Sequence, residues 1–225
     1  MSQIQDNINR LKSSIADTPC KLVAISKTKP SSDILEAYEA GQRLFGENKV
    51  QELTSKYEEL PKDIEWHMVG HLQRNKVKYM APFVNLIHSI DSLKLLKEVN
   101  KQAEKANRTI NCLLQVHIAE ESTKFGFDLA EIPDLIQSDE LKSFDHIQVV
   151  GLMGMATFTE DETQIKREFT SLRKLFDQLK SQSLPDNVKM SELSMGMSGD
   201  YPLALECGST MIRVGSSIFG ERNYV

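Results

Sequence analysis

Two lysines follow an apolar, strand-like run near the start of the chain. Residues 22–26 suit a buried strand, and Lys27 and Lys29 come directly after them. Pro30 has no backbone N–H and disfavours helical backbone at Lys29, so the strand must end here. A lysine that loses water at a strand end favours its neutral amine, which attacks carbonyl groups. The segment therefore offers two candidate Schiff-base lysines, and solvated loop lysines are the alternative.

Arg213 lies inside a second apolar run, Met-Ile-Arg-Val, at residues 211–214. An unpaired charge in a buried strand is costly, so this guanidinium must face a polar site or pair with a carboxylate. Glu192 and Glu206 are the carboxylates that an ion pair could use. Because arginine only donates hydrogen bonds, a site at Arg213 suits an acceptor such as a pyridine nitrogen.

Serines and glycines follow the last two apolar runs of the chain. Ser194 and Ser198 supply hydroxyls after one run, and Gly215 and Ser216 supply an accessible amide and a hydroxyl after the other. Such groups bind phosphate at strand ends, while turn glycines and helix caps are the alternative. A Schiff-base lysine, a donating arginine and a phosphate cradle together describe a site for pyridoxal 5′-phosphate.

The chain alternates strand-like and helical patterns along its whole length. The predicted strands cover residues 22–26, 43–46, 65–70, 86–90, 111–118, 147–152, 190–193 and 211–214. Strands that alternate with helices form parallel sheets, and eight such repeats predict an α/β fold of the (β/α)8 TIM-barrel type, with an open doubly wound sheet as the alternative. Apolar residues at helical spacing ahead of the first strand predict an extra N-terminal helix. We expect a single domain over residues 1–225.

A barrel would bring the carboxyl ends of its strands to one face, where binding and catalytic residues lie. We therefore predict a cofactor site built from Lys27, Asn48, His71, Ser194, Met195, Ser198, Arg213, Gly215 and Ser216. Met195 or Met68 could pack on a cofactor ring. His67 and His71 are four residues apart in a strand that ends in glycine, so they share no helical face and no metal site is expected. His88 fits a core histidine.

Composition limits the class of protein. The 225 residues are 40% hydrophobic and 26% charged, which is typical of a globular domain. The net charge of −5 and the lack of a basic block argue against nucleic acid or an anionic membrane as partner. The 3 cysteines are far apart and include no C-x-x-C, and the N-terminus lacks a secretory signal. We therefore predict a cytoplasmic protein.

The chain resembles the pyridoxal phosphate homeostasis protein family, which has the fold of the alanine racemase N-terminal domain. The matching segments are residues 23–30 (VAISKTKP), 45–48 (FGEN), 66–76 (WHMVGHLQRNK), 124–126 (KFG), 151–155 (GLMGM), 193–198 (LSMGMS) and 213–220. Spacing leaves Lys27 and Lys29 open, and the resemblance selects Lys27 as the Schiff-base lysine. It also implies that no second, mostly β domain follows.

The resemblance implies a protein that binds pyridoxal 5′-phosphate and acts in vitamin B6 and amino-acid homeostasis without established turnover. We expect a monomer, with enzymes that require the cofactor as candidate partners. Arginine cannot protonate a ring nitrogen, and Lys27 is the one evident acid–base group, which fits weak catalysis. A low-activity racemase or lyase is the main alternative, and His71 opposite Lys27 would favour it. A sugar-phosphate aldolase is a third, against which Arg213 argues.

Overall fold

A computed structural model describes residues 2–120 and 125–220. In these ranges one sheet contains nine parallel strands. They are β1 (Lys21–Ile25), β2 (Leu44–Glu47), β3 (Glu65–Met68), β4 (Leu86–Ile90), β5 (Ile110–His117), β6 (Phe127–Asp128), β7 (Ile147–Met155), β8 (Val188–Ser194) and β9 (Met211–Val214). The strands pair in the order β4-β3-β2-β1-β9-β8-β7-β5, and β4 also pairs with β5. This last pairing closes an eight-stranded barrel, so the predicted barrel is confirmed and the open sheet is wrong.

β6 is the strand that lies outside the closed eight-stranded barrel, and it extends the sheet beside the carboxyl end of β5. β4 pairs with the first half of β5, where Leu86 lies opposite Asn111, and β6 pairs further on, where Phe127 lies opposite Val116. Gly126 leads into β6 with a φ of +107°, and a Cβ there would lie 2.6 Å from the Gln115 carbonyl oxygen. Glycine is therefore required at this approach. The neighbouring Lys124 of the family-like segment lies outside the described residues.

Helices cover the outside of the barrel. They are α1 (Gln3–Ser14), α2 (Ser31–Glu39), α3 (Val50–Glu59), α4 (Val77–Met80), α5 (Leu93–Lys105), α6 (Ile132–Gln137), α7 (Asp139–Lys142), α8 (Glu162–Lys180), α9 (Tyr201–Glu206) and α10 (Ser216–Phe219). The predicted N-terminal helix is confirmed as α1, which begins with a capping box between Ser2 and Gln5. The side-chain amide of Asn7 donates to the Ile218 carbonyl oxygen at 2.9 Å. The extra helix therefore supports the short helix that follows β9.

Two apolar layers hold the barrel together. A small inner cluster, which includes Val23 and Met211, fills the interior of the barrel on the side away from the carboxyl ends of the strands. A much larger cluster, which includes Phe45, Trp66 and Leu53, lies between the sheet and the helices. Successive strand residues alternate between these layers. Because this part of the interior is packed, a ligand site must lie at the carboxyl ends of the strands.

Within the described part of the chain, every helix is too short or too polar to span a membrane.

Candidate functional site

The predicted site residues all follow or end barrel strands at the carboxyl face, but they do not all converge. Lys27 and Asn48 follow β1 and β2, and His71 follows β3. The others belong to β8, β9 and the segments after them: Ser194, Met195, Ser198, Arg213, Gly215 and Ser216.

Arg213 is the most buried cation of the site, with 5% of its surface exposed. Its Nη1 donates to the Ser194 hydroxyl at 2.6 Å, and its Nη2 donates to the Gly154 carbonyl oxygen at 3.0 Å. Burial lowers the pKa of Arg213 to about 10, and the nearby Asp200 opposes this shift. The guanidinium therefore stays charged at neutral pH. It has five N–H donors, and these two bonds leave capacity for another acceptor.

The carboxylates that sequence reasoning offered to Arg213 are engaged elsewhere. Glu192 pairs with Lys21 at the opposite end of the barrel, and Glu206 pairs with Lys166 at 2.7 Å. Among the described residues no carboxylate lies within ion-pair distance of Arg213. The ion-pair alternative is therefore wrong for these two carboxylates, and Arg213 is held by neutral acceptors instead.

A chain of buried polar side chains crosses the barrel interior from Arg213. The Ser194 hydroxyl lies 3.0 Å from Nδ1 of His88, and Nε2 of His88 lies 3.1 Å from Nδ1 of His67. All three side chains are buried. Burial lowers the pKa of His67 to about 3 and that of His88 well below its ordinary value. Both imidazoles are therefore neutral at physiological pH, and His88 is a satisfied core histidine.

The segments after β8 and β9 are joined by a hydrogen bond. The Gly215 amide donates to the Ser198 hydroxyl at 3.2 Å. The β8 segment turns at Gly196, whose φ is +96°, and the Met197 amide donates to the Asp200 carboxylate. Burial raises the pKa of Asp200, and the bond from Met197 opposes the shift. These contacts fix the two segments relative to each other, as a shared anion site requires.

The first turn of α10 offers backbone amides beside this junction. The first helical hydrogen bond runs from the Ile218 amide to the Gly215 carbonyl oxygen at 2.9 Å, so the amides of Ser216 and Ser217 precede it. Ser216 is exposed. A Cβ on Gly215 would lie 3.2 Å from the Ile25 carbonyl oxygen, which is a crowded position for a side chain. This arrangement suits an anion at the amides.

The two candidate lysines after β1 have different surroundings. Lys27 is half-buried and lies in the turn that follows β1. The Lys29 amide closes a turn onto the Ser26 carbonyl oxygen at 3.0 Å, and its ammonium donates to the Phe219 carbonyl oxygen at 2.7 Å. Lys29 therefore anchors the end of α10. The spacing of the sequence could not show this structural contact of Lys29.

Asn48 follows β2 beside the end of β3, whereas His71 lies at the rim of the carboxyl face. Asn48 is half-buried, and its backbone lies so close to Gly70 that a Cβ there would be 2.7 Å from the Asn48 Cα. The His71 side chain is 59% exposed, and its Nδ1 lies 3.2 Å from the Asp91 carboxylate. Its ring centroid is 5.7 Å from that of Phe125. His71 is therefore a solvent-facing group.

Two predicted residues have other roles in this geometry. The Ser194 hydroxyl is committed to Arg213 and His88 below the phosphate segments. Met195 follows on the opposite parity and packs in the outer core between sheet and helices. The structure therefore joins Ser198 to Gly215 and Arg213 to Ser194, whereas the Met195 side chain packs away from them. Lys27, Asn48 and Ser216 follow β1, β2 and β9 at the same face of the barrel.

Sequence reasoning missed the partners that lie beneath Arg213. His67 and the Gly154 carbonyl oxygen have no local motif that marks them. Strand parity was the available signal, because His67 and His88 alternate with the outer-core residues Trp66 and Ile87. Within the described ranges, no group of three or more His, Cys, Asp or Glu side chains has a geometry that could hold a metal ion.

Known proteins resemble this chain over nearly its whole length. The family model described as the alanine racemase N-terminal domain matches residues 1–223. The pyridoxal phosphate homeostasis protein of Pasteurella multocida is 38% identical over 229 residues, covering 100% of this chain and 97% of that protein. The protein of the same name from Aquifex aeolicus is 40% identical over 205 residues, covering 91% of this chain and 88% of that one.

Solved structures also resemble this chain. PipY of Synechococcus elongatus without PLP has a TM-score of 0.89 at 36% identity, covering 96% of this chain and 100% of that one. PipY with PLP bound has a TM-score of 0.83 at 35% identity, with the same coverage. Alanine racemase from Bartonella henselae shares the fold at 16% identity, with a TM-score of 0.74, and this chain covers 58% of it.

Proposed function

Because the chain belongs to the pyridoxal phosphate homeostasis protein family and has the alanine racemase N-terminal domain fold, we propose that it binds pyridoxal 5′-phosphate as a Schiff base on Lys27. In this proposal it acts in the intracellular homeostasis of the cofactor and of amino acids, and it has no turnover of its own. PipY, at 35% identity, has PLP bound in its structure, which supports the choice of cofactor.

The observation that carries the proposal is the buried Arg213 guanidinium. Only neutral acceptors, the Ser194 hydroxyl and the Gly154 carbonyl oxygen, hold it in place among the described residues. A charge-assisted donor in a dry site favours a ligand that brings an acceptor. A pyridine nitrogen is such an acceptor. The donor set therefore fits the ring of pyridoxal 5′-phosphate.

The joined segments after β8 and β9 fit the phosphate end of the cofactor. Ser198 and Ser216 supply hydroxyls, and Ser216 and Ser217 supply the amides of the first turn of α10, while the Gly215 amide holds Ser198. Backbone amides at a helix start bind phosphate through their N–H groups and the helix dipole. We propose that Ser194 supports Arg213 from below and that Ser198 is the serine nearer the phosphate.

Lys27 would supply the amine. Its nitrogen forms a C=N bond with the aldehyde carbon of the cofactor, and the aldehyde oxygen leaves as water, so no oxidant or reductant is needed. When bound, the cofactor would supply an electron-withdrawing ring and a reactive aldehyde. Lys27 follows β1 at the carboxyl end of the barrel, the same end as the segments after β8 and β9, which supports this proposal.

The side chains favour holding the cofactor over turning it over. Arg213 donates hydrogen bonds and does not protonate a ring nitrogen at neutral pH, so the ring would be a poor sink for electrons. Racemisation also needs an acid–base group on each substrate face. His71 is 59% exposed and lies at the rim, which makes it a poorly shielded second group. The relatives are named homeostasis proteins, which supports the same choice.

A low-activity racemase or lyase is the second candidate, and the His71–Asp91 pair favours it. The two side chains lie 3.2 Å apart on the carboxyl face of the barrel, so His71 could exchange a proton near the ligand. Exchange of the α-proton of added amino acids into deuterated water tests this candidate. Exchange that disappears in His71→Asn would favour the enzyme, and exchange no faster than with free cofactor would favour the carrier.

The proposal extends to the setting of the protein. We propose a single domain over residues 1–225 that acts as a cytoplasmic monomer, and its composition, 40% hydrophobic and 26% charged, fits one globular domain. Enzymes that require the cofactor are the proposed recipients, and neither nucleic acid nor a membrane is a proposed partner. Size-exclusion chromatography with light scattering tests the monomer.

Spectroscopy of the purified protein tests the central proposal. We expect added pyridoxal 5′-phosphate to give a yellow Schiff-base band that borohydride removes, and mass mapping to locate a pyridoxyl group on Lys27. Lys27→Ala should lose this group and keep some phosphate-held cofactor, whereas the matched control Lys29→Ala should keep it. A reducible Schiff base of full intensity in Lys27→Ala would refute the assignment.

A further inference from the structure

A buried ion-pair network lies behind Lys27, between the barrel wall and α3. The ammonium of Lys56 donates to Glu47 Oε1 at 2.7 Å, to Glu52 Oε1 at 2.6 Å and to the Ser26 carbonyl oxygen at 2.8 Å. The Ser26 hydroxyl donates to the same Glu47 oxygen at 2.6 Å. Lys56 therefore links β1, β2 and α3 at the residue that precedes Lys27.

Joining a helix to a sheet through this network has a large desolvation cost, because charged groups are buried. Glu47 is fully buried, and its Oε2 has no hydrogen-bond partner among the described residues. Burial raises the pKa of Glu47, and Lys56 opposes the shift. Well-packed apolar side chains often stabilise a core as much as a buried ion pair does. The network therefore invites a role beyond stability.

The residue that follows Lys27 is held by the same network. The Thr28 amide donates to Glu52 Oε1 at 2.6 Å, the oxygen that also accepts from Lys56. Thr28 has a φ of +64°, which is strained for a β-branched side chain. Ser26 and Thr28, the two neighbours of Lys27, are therefore fixed by hydrogen bonds to one cluster. Without these bonds, Thr28 would relax to a negative φ.

We propose that the Glu47–Lys56–Glu52 network is a positioning device that aims the Lys27 amine at the carbonyl carbon of its ligand. The inference rests on the proposed function, in which Lys27 forms the C=N bond and water leaves. Holding an amine in an attack-ready orientation raises the rate of that step without touching the ligand. Glu47, Lys56 and Glu52 are thus positioning residues, because they act through the backbone of the turn at residues 26–29.

Glu52 is the member that can be changed with least risk to the fold. Its side chain is 23% exposed, and its removal leaves the buried Lys56–Glu47 pair intact. Glu52→Ala deletes the acceptor for the Thr28 amide, whereas Glu52→Gln keeps a carbonyl oxygen there. Glu58→Ala is a matched control, because Glu58 is an exposed glutamate of the same helix.

The experiment adds pyridoxal 5′-phosphate to cofactor-free protein and follows the Schiff-base band by stopped flow. Borohydride and mass mapping then give the fraction on Lys27, and denaturation gives the total bound. We expect Glu52→Ala to slow band formation about tenfold, which is the size of one ordinary hydrogen bond. Total binding should change little. Glu52→Gln and Glu58→Ala should form the band at nearly the wild-type rate.

A second variant separates positioning from general damage to the fold. Adding Thr28→Gly to Glu52→Ala should restore most of the rate, because glycine adopts a positive φ without strain. Equal rates in Glu52→Ala and Glu58→Ala, or no recovery in the double variant, would overturn the inference while leaving the proposed function in place. Wild-type protein without a Schiff base on Lys27 would overturn the proposed function, and the inference with it.

Discussion

Ser194→Ala tests whether the serine at the end of β8 supports Arg213. Its hydroxyl is fully buried, accepts from Arg213 Nη1 at 2.6 Å and lies 3.0 Å from Nδ1 of His88. Alanine leaves both of these polar groups without their shared partner, and the space of one hydroxyl is too small to admit a water. The guanidinium would then lose one of its two fixed contacts.

The size of the effect follows from the two lost contacts. A hydrogen bond from a charged donor contributes about 1.5–3 kcal/mol and a neutral one about 1 kcal/mol, so we expect a loss of about 3 kcal/mol in the free energy of unfolding. For a domain of this length that corresponds to a fall of roughly 6–12 °C in Tm. The fall should be seen without cofactor, because the contacts belong to the protein itself.

Urea unfolding of the cofactor-free protein measures this loss, and Ser191→Ala is the matched control. Ser191 lies on the same strand, is exposed, and donates to the Val150 carbonyl oxygen at 3.3 Å. Its replacement should change stability by no more than about 0.5 kcal/mol. If Ser194→Ala costs no more than Ser191→Ala, the buried chain does not hold Arg213. Loss of phosphate binding at unchanged stability would return Ser194 to the phosphate site.

Three further predictions test the interior and the rim of the barrel. Stability should fall as the pH drops below about 6.5, because burial holds the pKa of His67 at about 3 and lowers that of His88, so the unfolded chain binds these protons first. Each histidine contributes a slope of about 1.4 kcal/mol per pH unit, which urea titrations at several pH values measure, and His67→Asn should remove part of it. Gly70→Ala should cost about 2–4 kcal/mol, because its Cβ would overlap the Asn48 backbone, whereas Gly199→Ala meets nothing within 4 Å; equal thermal melts would contradict this. Arg213→Glu should weaken binding of pyridoxal 5′-phosphate by about 100-fold or more in an absorbance titration, because it places a buried like charge beside an anionic ligand. Unchanged affinity would contradict the proposed contact between Arg213 and the cofactor ring.

The fold was largely predictable because each barrel strand has a local signature. All eight predicted strands are present, and so is the predicted N-terminal helix. Strand β7 runs to Met155, three residues past the predicted end, because glycines within it interrupt the apolar pattern. The two-residue β6 has no pattern of its own. Its pairing depends on the close approach of Gly126 to β5, which is a tertiary contact.

The site was predictable where one residue carries its own constraint. Arg213 in an apolar strand had to face something polar, and it faces the interior. Ser194 and Ser198 have the same chemistry and differ only in depth, so the sequence could not assign one to Arg213 and the other to the Gly215 amide. His88 finds its partner 106 residues away, and no short-range pattern encodes that distance.

The buried polar side chains beneath Arg213 bear on both cofactor binding and catalysis. A carboxylate under the guanidinium would have neutralised it and completed the site without a ligand. Neutral imidazoles and a hydroxyl fix its position and leave its charge uncompensated, apart from the influence of Asp200. The protein therefore carries a desolvated cation whose cost an anionic ligand with an acceptor atom can offset, while that cation is unable to give the ligand a proton. In the proposed function, the same arrangement would favour retention of the cofactor and would withhold the protonated ring that carbanion chemistry needs.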